Sequence, residues 1–391
     1  MTHRRTVLSG ILGLTLAASA GGAALAQEPV KIGLILPMTG PFASTGRQID
    51  AAVKLFLAKE GAVHGGRKLE VILKDDAGNA DATRRIAQEL VVNDKVAVLA
   101  GFGLTPLAMA TAPIATQAKV PQIVMAAATA TITEASPFIA RTSFTLPQAS
   151  EPMADWAAAN GIKKVFTVVT DYGPGIDAET SFAAKFKAAG GTVESVRVPL
   201  RNPDFAPFLQ RVSEAKPDAL FVFVPSGVGA QFMKQFVERG LDKAGVKLIG
   251  PGDVVDDDIL DGIGDVALGA ITTHHYSAAH DSPANKAFVE AFQKANPGMR
   301  PNFMAVGGYD GMRLVAEALK ETKGDADGEK LIAAMKGAAW ESPRGPIKID
   351  PDTRDIIQNI YVRKTEKVGS EFRNIEFATI PNVKDPVKAR K

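Results

Sequence analysis

Apolar positions recur along this chain in two alternating rhythms. Val30-Lys31-Ile32-Gly33-Leu34-Ile35 reads as a buried strand. From Gly46 to Lys59 the apolar residues Ile49, Val53, Leu55 and Phe56 fall at helical spacing. Leu69–Leu73 predicts a second strand and Asp81–Val92 a second helix, with Asp81 as its cap. Val96–Ala100 predicts a third strand, and Gln122–Met125 a fourth. Between them Thr105-Pro106 opens a helix, with Thr105 suited to the N-cap and Pro106 to the first turn. The alternation then restarts with strands at Lys164–Val169, Val193–Val198, Ala219–Val224, Leu248–Gly250 and Ala270–Thr273. Helices at Ala178–Ala189, Phe205–Ala215 and Gln231–Arg239 separate them. Further helices are predicted at Pro283–Asn296, Asp310–Thr322 and Gly328–Met335, and a terminal hairpin pairs Asn359–Arg363 with Arg373–Phe377. Two βαβ series predict an α/β protein of two doubly wound parallel-sheet lobes.

The first 26 residues follow neither rhythm. Arg4 and Arg5 precede an apolar stretch from Val7 to Ala20, and Ala24-Leu25-Ala26 offers the small residues of a cleavage site. Residues 1–26 are therefore expected to be a secretory signal peptide. The chain has no cysteine, which excludes a lipid anchor at the cleavage site, disulfides and thiolate metal sites. With Arg4 and Arg5 set aside, 43 basic residues face 43 acidic ones. That balance gives no footprint for nucleic acid or an anionic membrane. A free, monomeric protein in a bacterial periplasm is expected.

Catalytic constellations are scarce. His274 and His275 are adjacent, so on a strand they would point to opposite faces, and neither belongs to a metal-binding spacing. Packing in a hinge or cleft is the simpler expectation for both. Gly101-Phe102-Gly103 lies between a strand and a helix, but Pro106 stands where a dinucleotide fingerprint needs its third glycine. Asp256-Asp257-Asp258 lacks the spacing of a calcium loop and reads as capping or solvated charge. Asp171 and Asp310 read as caps or turn residues. No cofactor and no metal are expected. The start of the helix at Thr105 offers unpaired N–H groups and a partial positive charge, and Thr105 and the loop Ala126-Ala127-Ala128-Thr129 add hydroxyls.

The segment Lys31-Ile32-Gly33-Leu34-Ile35-Leu36-Pro37-Met38-Thr39-Gly40-Pro41-Phe42-Ala43 resembles the opening of leucine/isoleucine/valine-binding-type periplasmic receptors, the solute-binding subunits of ABC importers. Asp75-Asp76, Asp171-Tyr172-Gly173, Asp204-Phe205 and Tyr309-Asp310 extend the resemblance over nearly the whole chain. It implies the type I periplasmic binding fold, with a three-segment hinge near Thr145–Gln148, His274–Ser277 and Pro343–Pro346. Lobe one would be 27–147 with 277–345, and lobe two 148–276 with 346–391. It also implies membrane permease subunits as partners.

By that resemblance Thr105 and the pair Ala128-Thr129, in a loop that also brings Ala127 to the ligand, hold a ligand carboxylate. Tyr172 matches an aromatic residue of the cleft. Thr45 and Ser226 stand where the receptors have tyrosines. The receptors' acceptor for the ligand ammonium falls on Gly252 here, with Asp253 next to it. Phe42 and Phe102 are additional aromatics on cleft loops. These departures favour an aromatic carboxylate of the benzoate or hydroxybenzoate type, with a branched-chain or other amino acid next. The alternatives from other classes are an exported oxidoreductase with a dinucleotide cofactor and a ligand sensor for a membrane receptor.

Overall fold

A computed structural model describes residues 28–390. The expected signal peptide lies outside the described residues. Among the described residues, no helix is long and apolar enough to cross a membrane.

The first lobe is built on six strands: β1 (Val30–Leu36), β2 (Val63–His64), β3 (Arg67–Asp75), β4 (Val98–Gly101), β5 (Gln122–Val124) and β6 (Ile139–Arg141). Their order is β2-β3-β1-β4-β5-β6, parallel except for β2. Ile32 of β1 stands opposite Val71 on one side and Val98 on the other, so the strand order reverses at β1. Helices α1 (Ala43–Glu60), α2 (Ala80–Val92) and α3 (Thr105–Ala118) alternate with these strands. Asn79, not Asp81, caps α2, its side chain accepting from the Ala82 N–H. Thr105 is the first residue of α3 and Leu104 takes the cap position, so the Thr105 hydroxyl is not spent on capping.

The second lobe follows through α4 (Leu146–Ala159), a helix absent from the sequence expectation because Pro147 and Pro152 interrupt its pattern. It contains β7 (Lys164–Thr170), α5 (Gly173–Ala188), β8 (Thr192–Val198), α6 (Ala206–Ala215), β9 (Ala219–Phe223), α7 (Ser226–Glu238), β10 (Lys247–Pro251), α8 (Leu260–Ile263) and β11 (Ile271–His274). The chain then builds α9 (Pro283–Ala295), α10 (Phe303–Glu321) and α11 (Gly328–Met335), with α10 packed along α1 of the first lobe. It ends in β12 (Ala339–Ser342), β13 (Gly345–Ile349), β14 (Ile356–Val368), β15 (Glu371–Val383) and α12 (Pro386–Ala389). The second sheet has nine strands in the order β12-β13-β14-β11-β10-β9-β7-β8, with β15 on β14. Strands β7 to β11 are parallel, and β9 is buried at every position, as a strand covered on both faces must be. The terminal hairpin is longer than expected, 13 residues in each strand. Because β12 and β13 pair within this sheet, the second sheet reaches back to Ala339, ahead of the boundary expected at residue 345.

Asp310, expected as a cap or turn residue, is instead buried in α10 and ion-paired with Arg344 at 2.6 Å. Arg344 also donates to the carbonyl oxygens of Thr142 (2.6 Å) and Ser143 (3.2 Å), and Ser342 and the Trp340 ring N–H donate to Asp310. The passage from β6 into α4 is thereby tied to the β12–β13 turn. Truncating one partner of such a pair strands a buried charge. Asp310→Ala is expected to lower unfolding free energy by about 3–5 kcal/mol, read from urea titration.

Candidate functional site

Both parallel sheets point the carboxyl ends of their strands at the space between the lobes. That is where open α/β sheets bind small molecules, beside the strand at which the order reverses. The loops after β1, β4 and β5 face those after β7, β9 and β10 across a cleft. Its walls include Phe42, Thr45, Gly103, Leu104, Thr105, Ala126, Ala127 and Ala128 on one side. Tyr172, Pro174, Phe223, Pro225, Ser226 and Asp253 face them, and Phe144, Phe303 and Met304 complete the lining.

Four helices start at the cleft: α1 after Phe42, α3 after Leu104, α5 after Tyr172 and α7 after Pro225. None of these four cap residues makes a side-chain hydrogen bond to its helix. Helix starts carry orphan N–H groups and partial positive charge, so the cleft is predisposed to an anionic group. At the start of α3 the hydroxyls of Thr105 and Thr129 lie 2.7 Å apart. Thr129 is not itself in the cleft lining; it stands behind Thr105 and beneath Gly173, where a Cβ would come within 2.3 Å of its Oγ1.

The aromatic residues form the sides of the slot. Tyr172 and Phe223 stack with ring centroids 6.2 Å apart. Phe144 packs edge-on against Phe303 and also lies over His274 and His275. The two histidines were expected on opposite faces, yet their rings are 4.5 Å apart. His274 is the last residue of β11, so strand alternation ends there. Both rings are buried and held far on the neutral side by that burial, with Arg344 and Arg363 adding repulsion.

Phe102 is a correction. It is fully buried in the core beside Ile35, Val124 and Ile132, away from the cleft. Gly101 adopts φ +111°, and a Cβ there would come within 2.3 Å of the Ile35 oxygen. Phe102 itself has φ +66°, and this left-handed turn carries its side chain into the first lobe. The glycine-flanked segment is thus a packing turn.

Asp253 is buried, and its Oδ2 has no hydrogen-bond partner. His274 Nε2 is 3.7 Å from it. Burial pushes its carboxyl up to about 7, against the lowering effect of its own backbone N–H and Arg363. Gly252 leaves no room for a side chain, because a Cβ would stand 1.8 Å from the Arg363 guanidinium. Arg363 is in turn fixed on the Tyr276 carbonyl and the Thr272 hydroxyl.

The run Asp256-Asp257-Asp258 also departs from expectation. Asp256 and Asp257 are buried, not solvated. Asn302 donates to Asp256 at 2.7 Å, and Ser44 of α1 donates to Asp258, so the run clasps the first lobe. Among the described residues no group of three or more His, Asp or Glu is placed to hold a metal ion. Sequence reading missed Phe144, Phe223, Phe303 and Met304. Phe223 ends a strand and could have been found by the rule that strand ends face the cleft; the others sit on crossings or on a late helix with no such signal.

A two-lobed α/β shell around a small slot walled by aromatic rings has the form of a receptor for a small solute. The chain belongs to the periplasmic binding protein family, which it matches over residues 29–370. It is similar to a solute-binding protein of an ABC transporter from Rhodopseudomonas palustris solved with 3,4-dihydroxybenzoic acid. The two are 65% identical with a TM-score of 0.91, covering 92% of this chain and 99% of that one. A second solute-binding protein from R. palustris, solved with 4-hydroxybenzoate, is 42% identical with a TM-score of 0.90, over 93% and 100% of the two chains. The Leu/Ile/Val-binding protein homolog 6 of Brucella melitensis is 43% identical over 98% of each chain. The chain is a substrate-binding protein of this transport class and not an enzyme.

The Asp253 carboxyl makes stability depend on pH. Its folded pKa is raised from 3.8 to about 7. The folded state therefore favours the proton, and the associated stability is full below about pH 4 and lost as pH rises through 7. Asp253→Asn removes this loss. Relative to wild type, the ligand-free variant is expected to gain up to about 4 kcal/mol between pH 4 and pH 8, read from urea midpoints.

Proposed function

We propose that this protein captures a hydroxylated aromatic carboxylate by closing its lobes around it. The observation that carries the reading is the chemistry of the two facing walls of one aromatic slot. On the first-lobe wall stand an uncapped helix start and the Thr105 hydroxyl, backed by that of Thr129, donors for a carboxylate. On the facing wall stands Asp253, with an oxygen left without a partner. Between them Phe42, Tyr172, Phe223 and Phe303 offer ring faces and edges, contacts that contribute about 0.5–1.5 kcal/mol each. Thr45 and Ser226 extend the lining, and Ala127 and Ala128 keep the carboxylate loop close.

The corner at Gly252 disfavours an α-amino acid. A buried ammonium needs an ionised acceptor; the guanidinium of Arg363 fills the space where a side chain at 252 would supply one, and burial pushes the Asp253 carboxyl beside it toward its neutral form. The dihydroxybenzoate and hydroxybenzoate bound by the two R. palustris proteins support the aromatic class. The name of the Brucella relative supports a branched-chain amino acid as the second reading. The chain is read as exported through residues 1–26 and as delivering its ligand, as a monomer, to membrane permease subunits of an ABC importer. Lobe one is read as 27–147 with 277–338, since β12 and β13 belong to the second sheet, and lobe two as the remainder of the exported chain.

Calorimetry tests the ligand class. 4-Hydroxybenzoate is expected to bind and leucine not to; the reverse result overturns the aromatic reading. Thr105→Ala is expected to weaken 4-hydroxybenzoate by about 1.5–3 kcal/mol, with little loss of fold stability because no cap is removed. Asp253→Asn is expected to weaken 4-hydroxybenzoate several-fold more than unsubstituted benzoate. Equal losses for both ligands would place the ring hydroxyl elsewhere.

A further inference from the structure

Arg141 ends β6 and is completely buried beneath the loop that walls the carboxylate end of the cleft. Its guanidinium is spread over that loop. Nη1 donates to the carbonyl oxygens of Ala127 (3.1 Å) and Phe144 (3.0 Å), and Nη2 donates to that of Thr129 (2.6 Å). The Ser143 hydroxyl adds a second donor to the Ala127 oxygen at 3.2 Å. On its far side Arg141 is ion-paired with buried Asp355 at 2.7 Å. Asp355 is held in turn by Lys388 of the C-terminal helix, which also donates to Thr133.

This arrangement has a chemical effect on the cleft. A loop carries both kinds of polar group, N–H donors and carbonyl acceptors. Acceptors turned toward a carboxylate repel it, and toward an ammonium they attract it. Here the carbonyl oxygens of Ala127 and Thr129 are committed to a cation behind the loop. What remains for the ligand is the donor set: the start of α3 and the Thr105 hydroxyl, which Thr129 backs.

We propose that Arg141 is the residue that makes this end of the cleft selective for an acid, acting through the loop without touching the ligand. It is a positioning residue: it fixes the loop and removes the acceptors that would tolerate a neutral amide or a cation. The proposal rests on the reading that the ligand's carboxylate lies at the Thr105 end. It predicts a loss of selectivity, which a merely structural role does not.

The test compares 4-hydroxybenzoate with 4-hydroxybenzamide, and leucine with leucinamide, in wild type, Arg141→Gln, Arg141→Lys and Lys388→Met. Arg141→Lys keeps a cation beside Asp355 and so protects the fold, but an ammonium lacks the planar fork that spans three carbonyls. In both Arg141 variants the preference for acid over amide is expected to fall by at least about tenfold. In Lys388→Met, where Arg141 keeps Asp355, the preference is expected to stay within about twofold while the melting temperature drops. An unchanged acid preference in folded Arg141→Lys overturns the proposal, as does an equal loss in Lys388→Met. The two ligand pairs separate this inference from the aromatic reading. If leucine binds and 4-hydroxybenzoate does not, the aromatic reading fails, and the leucine-to-leucinamide ratio still decides the role of Arg141.

Discussion

The ion pair between Arg344 and Asp310 is the constraint on which the rest of the molecule depends. The two sheets share no strand, so their relation is set by the segments that pass between them. Arg344 gathers those segments by bonding to Asp310 of α10 and to the carbonyls of Thr142 and Ser143. Gln358 of β14 receives another of its bonds. A buried ion pair is weak evidence for stability, because desolvation offsets much of the attraction. Its directional bonds fix geometry instead. Phe144 and Phe303, on the two segments it draws together, meet edge-on at the base of the cleft. The site has a defined floor because the crossings have a defined knot.

Above that floor the site is made from ends of elements. Helix starts and strand ends are where a backbone has unpaired groups and free direction. The lobes bring four uncapped helix starts around a slot walled by rings. Charge is sparse within it, and what there is has been placed. Arg141 lies behind one wall and Arg363 behind another, each tied to carbonyl oxygens. Asp253 alone brings an unpartnered carboxyl oxygen to the lining.

Much of this was legible in the sequence, because parallel strands and amphipathic helices write their periods locally. The order of strand and helix from Val30 to Val124, and again from Lys164 to His274, followed from pattern save for the two-residue β2 and the one-turn α8, which are too short to write a period. So did the loops that face each other, since they follow strand ends. What was not legible depended on contacts distant along the chain. Phe102 looked like a cleft aromatic until the left-handed turn after Gly101 sent it into the core. Asp310 looked like a cap because its partner lies 34 residues away. The acidic run at 256–258 looked solvated because nothing local says that Ser44 and Asn302 will meet it. Arg141 gave no signal, since its acid partner Asp355 comes from the far end of the sequence.

That acidic clasp has a consequence of its own. Ser44 and Asn302 join Asp258 and Asp256 outside the lining of the slot, so closure carries a free energy that belongs to the protein and to no ligand. An observed dissociation constant is the intrinsic one divided by the fraction of molecules in the binding-competent form. The clasp contributes to that fraction, as does the bond from Arg201 to the Gly78 oxygen, while the slot decides which solute profits from it. Tightness and discrimination are therefore written partly in different residues. A lineage that needs a looser receptor, one that hands over its cargo more readily, has a place to change that leaves the choice of cargo intact.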